Sequence, residues 1–290
     1  MITIEMREKL SVIAQMILNS YGTLTFTIFE IGAVPLDDNG EPFHDFPMIF
    51  PGSRVIAFEL DSNLCEKLNS EAKPGIQFFP TALGQKNETR LLFETEHPMC
   101  TSLYYPNTEL NRRYNALEVA MPKSISTVHT ISLDEFVQVN KLIPDFIKID
   151  IQGAELDVFK GGEESLKSVV GIVSEVEFVP LYLNQPLFGD VCSFLFERKL
   201  VFHRFLGLAG RTLAPLIINN DLNYATQQLW ADAIFIRDVA TLDDMSDMML
   251  LKMGVLAFLY GSPDVSYYCF LKYDSRSGTE LHKQIIKLVG

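Results

Sequence analysis

The sequence predicts an α/β fold: a mostly parallel sheet with helices on both faces, followed by a C-terminal helical extension. Three observations carry the expectation. Short β-branched and aromatic runs at residues 25–31, 54–60, 76–80, 146–151 and 171–178 alternate with stretches of helical composition, the pattern of a sheet covered on both sides. Three of those runs close on or beside an acid (Glu30, Glu59 and Asp150), at the carboxyl end where open α/β sheets place their ligands. Beyond residue 240 the strand signal stops. The almost wholly apolar stretch MMLLKMGVLAFLYG then reads as a buried or partner helix, too short to span a membrane.

Composition narrows the class. With 290 residues, 48% of them hydrophobic, the chain has room for one large domain with appendages. They divide into an N-terminal helix over 1–24, a sheet domain over 25–240 and the helical extension over 241–290. A net charge of −13 argues against nucleic acid or an anionic membrane as partner. The four cysteines are scattered with no Cys-x-x-Cys pair, against a zinc site or a disulfide framework. Acids at Glu5 and Glu8 are unlike a secretory signal, and a cytoplasmic protein is the expectation.

Residues 1–20 read as an amphipathic helix with Leu10, Ile13, Ile17 and Leu18 on one side, a lid or packing helix. The strand TFTIFEI (25–31) runs into Glu30-Ile31-Gly32-Ala33, where a glycine lets a ligand approach the backbone. The stretch after it, VPLDDNGEPFHDFPMIFPG, exceeds an ordinary strand-to-helix connection and could border a substrate. His44 and Asp45 fall there and, without further ligands at diagnostic spacing, read as loop polar residues. The strand at 54–60 ends at Glu59, and Asp61 or Ser62 caps the helix at 61–69. A carboxylate at the end of a second strand accepts hydrogen bonds from ribose, and Glu30 and Glu59 stand at suitable spacing. The strand at 76–80 leads into Thr81-Ala82-Leu83-Gly84, where Leu83 offers an apolar face or plain core packing. After a strand at 90–95, the loop HPMCTSLYYPN carries Ser102, a candidate at the substrate or cofactor edge, and His97, a base or an exposed histidine. A strand at 119–131 precedes a helix opening near Ser132 or Asp134.

Residues 144–162, PDFIKIDIQGAELDVFKGG, organise the chain. Pro144 marks a turn, 146–151 form a buried strand, Gly153 breaks it, and a helix over 154–160 ends at Gly161-Gly162. An acid such as Asp150 at the end of an apolar strand is costly without a partner or a task. A solvated loop acid, or one favoured by a helix N-terminus, fits the spacing equally. On the next strand (171–178) alternation puts Glu175 and Glu177 on one face, which points to a pocket. Tyr182, Gln185 and Phe188 supply polar and aromatic lining, or packing. A helix at 190–198 precedes closing strands at 200–206 and 231–237, with Trp230 at the last strand's entrance. Asp243, Asp244 and Asp247 cap the apolar helix.

The segment DFIKIDIQGAELDVFKGG resembles the signature of the FkbM family of S-adenosylmethionine-dependent methyltransferases, in which a strand ending in Asp leads to a Gly-Ala-Glu turn and a glycine-closed helix. SEVEFVPLYLNQPLFGDVCSFLFER is similar to the family as well, and the resemblance spans 25–238. It implies a Rossmann-like, seven-stranded class I methyltransferase sheet with S-adenosyl-L-methionine as cofactor. Cofactor contacts carried over are Glu30, Gly32, Ala33, Glu59, Leu60, Ala82, Leu83 and Asp150. The chain departs from the family in having Glu at 30 for Asp, Leu at 60 for Pro, and a long insertion after Ala33. Asp150 is then the base or the acid that orients the substrate, helped by Glu175 and Glu177, with Ser102, Tyr182 and Gln185 beside the acceptor. The implied reaction is O-methylation of a hydroxyl on a sugar, a glycan or a small metabolite. Two alternatives stay open. A nicotinamide-dependent oxidoreductase would suit Glu59, but no Gly-x-Gly-x-x-Gly follows the first strand. A non-catalytic scaffold would use the apolar C-terminal helix for a partner or a homodimer. No ligand set for a metal can be assigned.

Overall fold

The structure, a computed structural model, describes residues 3–33 and 40–289. Residues 34–39, the start of the insertion expected to border a substrate, lie outside the described residues. Helix α1 (Ile4–Ser20) begins where the Thr3 side chain accepts a hydrogen bond from the Met6 amide, and it buries Leu10, Ile13 and Ile17 at helical spacing. Leu18, expected on the same stripe, is 50% exposed, because it lies a further 100° around the helix from Ile17.

Strands β1 (Thr27–Ile31), β2 (Arg54–Glu59) and β3 (Ile76–Pro80) form one half of a seven-stranded sheet. Between the first two lies the short helix α2 (Phe46–Ile49), and between the next two α3 (Ser62–Glu71), whose N-cap Asp61 accepts from Asn63 and Leu64. A separate small sheet holds β4 (Ala82–Gly84), β5 (Glu88–Thr95) and β6 (Pro122–Ser132), with α4 (Thr108–Asn111) in the connection. The strand expected from residue 119 starts at Pro122, because Glu118–Ala120 wind into a 3₁₀ turn. Ser132 caps α5 (Leu133–Asn140) through the Glu135 amide.

The second half of the main sheet comprises β7 (Phe146–Ile149), β8 (Gly171–Glu177), β9 (Leu200–Ala209) and β10 (Trp230–Arg237), with α6 (Glu155–Lys160) and α7 (Phe188–Glu197) between them. Strand β7 stops at Ile149, short of the expected 151, because Gln152 (φ 58°) and Gly153 (φ 96°) reverse the chain. The strand order is β3-β2-β1-β7-β8-β10-β9, and only β10 runs against its neighbours. This is a Rossmann-like sheet with an antiparallel strand near one edge. Its order reverses between β1 and β7, and open α/β sheets bind ligands at such a switch point.

Two cores flank the sheet. One face, with Phe29, Phe58, Ile147 and Ile172, packs on Leu133, Phe136, Phe159 and Leu195 from α5, α6 and α7. The other, with Ile28, Val55, Phe146 and Val173, packs on α1 and on three C-terminal helices: α8 (Asp247–Leu259), α9 (Pro263–Ser277) and α10 (Leu281–Val289). Helix α8 is buried from Leu250 to Leu259 against its own chain. Its N-cap is Ser246, which accepts from the Met249 amide; Asp243 and Asp244, expected to cap it, lie in a preceding 3₁₀ turn. Lys252 of α8 reaches under the sheet to Asp145 at 2.7 Å, and Asp145 also accepts from the Thr27 amide. Among the described residues no helix is long and apolar enough to cross a membrane.

Candidate active site

A cavity of about 420 Å³ opens at the switch point, over the carboxyl ends of β1, β2 and β7, a size that suits a small-molecule ligand. Its walls come from Glu30, Gly32, Glu59, Leu60, Ala82 and Leu83, and its floor includes Lys148, Asp150 and Gln152. Ser102 and the neighbouring loop residues Met99, Thr101 and Leu103 close one side. Most of the residues expected at the cofactor therefore meet in one place. Ala33 does not. It is buried, its amide donates to Phe58 O at 3.1 Å, and it forms no part of the cavity wall.

Glycine at 32 is dictated by the strands around it. It has φ 85°, and a Cβ there would lie 1.9 Å from the Asp150 carbonyl oxygen, so any other residue would force β1 and β7 apart. The Asp150 amide donates to Ile31 O at 2.9 Å, tying the two strand ends together. At the end of β2, one oxygen of Glu59 accepts from the amides of Leu60 (2.7 Å) and Asp61 (3.0 Å). Its other oxygen has no bond within the protein among the described residues and is available to a ligand. Leu60 is 43% exposed beside it, and Ala82 and Leu83 form a buried apolar wall. Glu30 is not free in this way: its carboxylate lies 2.7 Å from His44 Nε2. The insertion thus returns a histidine to the site, a partner that loop spacing did not reveal.

Asp150 is the hub. Lys148 Nζ lies 3.1 Å from Oδ2, and Gln152 Nε2 donates to Oδ1 at 3.0 Å. Burial opposes its charge, but Lys148 and hydrogen bonds from Glu175 and Gln152 outweigh burial and hold the carboxyl below its ordinary value. Glu175 goes the other way. Burial, then the charges of Asp150 and Glu177, push it well above the usual range. Glu177, 3% exposed, is likewise raised by burial and by Glu155 and Asp150. Neither Glu175 nor Glu177 lines the cavity; Glu175 stands behind Asp150, accepting from Gln152 Nε2 at 2.6 Å.

Tyr182 and Gln185, expected beside the acceptor, are also behind it. Tyr182 is 2% exposed and its hydroxyl lies 2.8 Å from Gln152 Oε1 and 3.0 Å from Cys100 O, while Gln185 Oε1 accepts the Tyr182 amide. They brace Gln152, whose left-handed backbone needs outside support, and neither lines the cavity. Ser102 does line the cavity, but its hydroxyl donates to Gln152 O at 2.6 Å and accepts from the Tyr104 amide. The loop it belongs to is pinned further back by Asp157, which receives Arg90 at 3.1 Å and the Tyr104 hydroxyl at 3.0 Å. His97 is exposed and accepts from the Met99 amide through Nδ1.

Two contributors escaped the sequence reading. Lys148 shares a face with Asp150 by strand alternation, a signal that was present in the sequence. Glu155 accepts from the amides of Ile151 (2.8 Å) and Gly153 (3.3 Å), shaping the turn under Asp150; burial nevertheless raises its carboxyl to about 7. Among the described residues no group of three His, Cys, Asp or Glu side chains could hold a metal ion.

A family model described as the methyltransferase FkbM domain matches residues 31–203. No curated protein matches the chain by sequence. Among solved structures, the chain is similar to magnesium protoporphyrin IX methyltransferase from Synechocystis PCC 6803, solved with bound SAM. That likeness is at 7% identity, covers 81% of each chain and has a TM-score of 0.35. At that level the fold stands on its own strand order.

Proposed function

The chain belongs to the FkbM methyltransferase family, and from that premise we propose that it moves a methyl group from S-adenosyl-L-methionine to a hydroxyl oxygen of a sugar, a glycan or another small molecule. The observation that carries the cofactor is the sign of charge at the cavity. Glu30, Glu41, Glu59, Asp61 and Asp150 face it against one lysine. A sulfonium with its ammonium suits that field, whereas the pyrophosphate of a nicotinamide cofactor would be repelled. The residues fit in detail as well: the free oxygen of Glu59 suits ribose hydroxyls, and Leu60, Ala82 and Leu83 suit an adenine ring.

When bound, the cofactor supplies an electrophilic methyl group whose carbon–sulfur bond breaks as the new carbon–oxygen bond forms. Asp150 borders the place where the acceptor oxygen must stand. Held ionised by Lys148, Asp150 is a weak base and a good hydrogen-bond acceptor, so its task is to orient the hydroxyl. Its proton leaves to Asp150 or to solvent during transfer. Gln152, whose Nε2 also donates to Glu175, fixes the Asp150 carboxylate from behind.

Calorimetry with S-adenosylhomocysteine and with NAD tests the cofactor, and transfer of a labelled methyl group tests the acceptor chemistry. The expected results are binding of the first ligand alone and label recovered as a methyl ether. Binding of NAD in place of S-adenosylhomocysteine, or label confined to nitrogen or sulfur, would overturn the proposal.

A further inference from the structure

The insertion between β1 and α2 supplies the cavity with an acid of its own. Glu41 lines it together with Glu30, Lys148 and Asp150, and the segment that carries Glu41 is fixed on the sheet. Residues Pro42–Asp45 wind into a 3₁₀ turn, and Glu41 O accepts the His44 amide at 3.0 Å. The Phe43 ring, wholly buried, packs 5.9 Å from that of Phe146 on β7. Asp45, 2% exposed, receives Arg7 of α1 at 2.6 Å. Two of the neighbouring charges on this wall are already matched: Glu30 has His44 at 2.7 Å, and Lys148 has Asp150 at 3.1 Å. Glu41 is not. Its side chain does not cap the turn and makes no hydrogen bond or ion pair among the described residues. Burial raises its carboxyl, with Lys148 opposing and the charge of Glu30 adding to the rise. A half-buried carboxyl on a cavity wall, short of a cation, is suited to a cationic ligand.

We infer that Glu41 receives the α-ammonium of the cofactor's amino-acid end, so that the insertion completes the cofactor site. The inference rests on the methyltransferase reading above and deepens it. By that reading Glu59, Leu60, Ala82 and Leu83, at the end of β2 and on β4, take the ribose and the adenine. The strand order β2-β1-β7 leaves the wall over β1 and β7 to the amino-acid end, and Glu30, Lys148 and Glu41 line the cavity there. That end is a zwitterion. The wall offers a carboxylate for its ammonium and, in Lys148, further N–H donors for its carboxylate. Because the chain departs from the family's turn at this insertion, the contact does not follow from the shared motif.

The test titrates wild type, Glu41→Gln and Glu41→Asp by calorimetry with two ligands, S-adenosylhomocysteine and its analogue lacking the α-amino group. Wild type should prefer S-adenosylhomocysteine roughly tenfold, the worth of one charge-assisted hydrogen bond. Glu41→Gln should erase that preference while binding the analogue as wild type does, and Glu41→Asp, which keeps the charge, should retain part of it. A preference that survives in Glu41→Gln would overturn the inference. So would equal weakening of both ligands in that variant, which would mean a distorted cavity. Equal affinity of wild type for the two ligands would overturn it without recourse to any variant, and would leave the cofactor reading standing. A wild type that binds neither ligand would reject the methyltransferase reading and this inference with it.

Discussion

Two lysine–aspartate pairs bracket β7, and they serve opposite ends of the molecule. Before the strand, Asp145 lies 2.7 Å from Lys252, with side chains only 13% and 7% exposed. After it, Asp150 lies 3.1 Å from Lys148, and its side chain is 32% exposed, toward the cavity. At Asp145 burial prevails over Lys252 and the Thr27 amide, and the carboxyl is raised. At Asp150 burial is outweighed by Lys148 and by hydrogen bonds from Glu175 and Gln152, and the carboxyl is lowered. The chemistry of the two pairs is the same, and the polarity of the sheet separates them. The amino ends of the strands are sealed by α8, while the carboxyl ends open into loops where a charge can meet a ligand.

If that contrast holds, mutations at the two pairs fail differently. Asp150→Asn should slow methyl transfer by roughly 10²–10⁴ on an acceptor that the wild type methylates. Its affinity for S-adenosylhomocysteine should stay within a few-fold. The fold should survive because Glu175, relieved of its charged neighbour, can ionise and pair with Lys148. Wild-type turnover in this variant would remove Asp150 from the reaction.

Lys252→Met should do the reverse. Stripping the partner from a buried carboxylate costs about 3–5 kcal/mol, nearer the lower figure here because Asp145 is already inclined to take up a proton. Urea unfolding would show the loss, while cofactor affinity of the folded variant stays unchanged. A large drop in that affinity would mean that the two ends are coupled through β7.

A smaller effect sharpens the picture at the carboxyl end. Glu59→Gln retains an oxygen for the Leu60 and Asp61 amides, so the turn should hold, but it replaces the charged acceptor offered to ribose. Affinity for S-adenosylhomocysteine should fall roughly tenfold, on the order of 1.4 kcal/mol. An unchanged titration would return Glu59 to a purely structural turn residue.

The last contrast is a slope with pH. Glu155 is raised by burial to about 7 in the folded chain, above the ordinary range near 4.3 of an unfolded glutamate. Its stabilising protonation is complete below the unfolded value and is lost as pH rises through about 7. Stability should therefore decline across that window by at most about 1.4 kcal/mol per pH unit from this group. Glu155→Gln should flatten the decline, and Lys252→Met should not. An identical slope in Glu155→Gln would assign the titration to Glu175 or Glu177.

Much of this architecture was legible in the residues. Strand β3 appears with the bounds its composition predicts, and Asp61 and Ser132 cap the helices they precede. Glu59 and Asp150 meet in one cavity, as acids at the ends of strands should. What was not legible concerns which side of a wall a side chain occupies. Tyr182 and Gln185 have the composition of a binding surface, yet the turn at Gln152 draws them inward as braces. Glu177 shares its face with Glu175 as alternation requires, but a shared face of a strand says nothing about what covers it.

By itself the sequence determined the sheet, its covering helices and the acids at the ends of its strands. Those depend on local periodicity, on caps and on glycines, which act within a few residues. Only the tertiary structure decided that the apolar helix α8 is covered by its own chain, that His44 returns from the insertion to Glu30, and that Lys148 lies beside Asp150 at the cavity. It also decided the protonation of the carboxyl cluster. A carboxyl's ionisation follows from the charges and the water within a few ångströms of it. Residues as distant in the chain as 30, 150, 175 and 232 become neighbours only when the strands align.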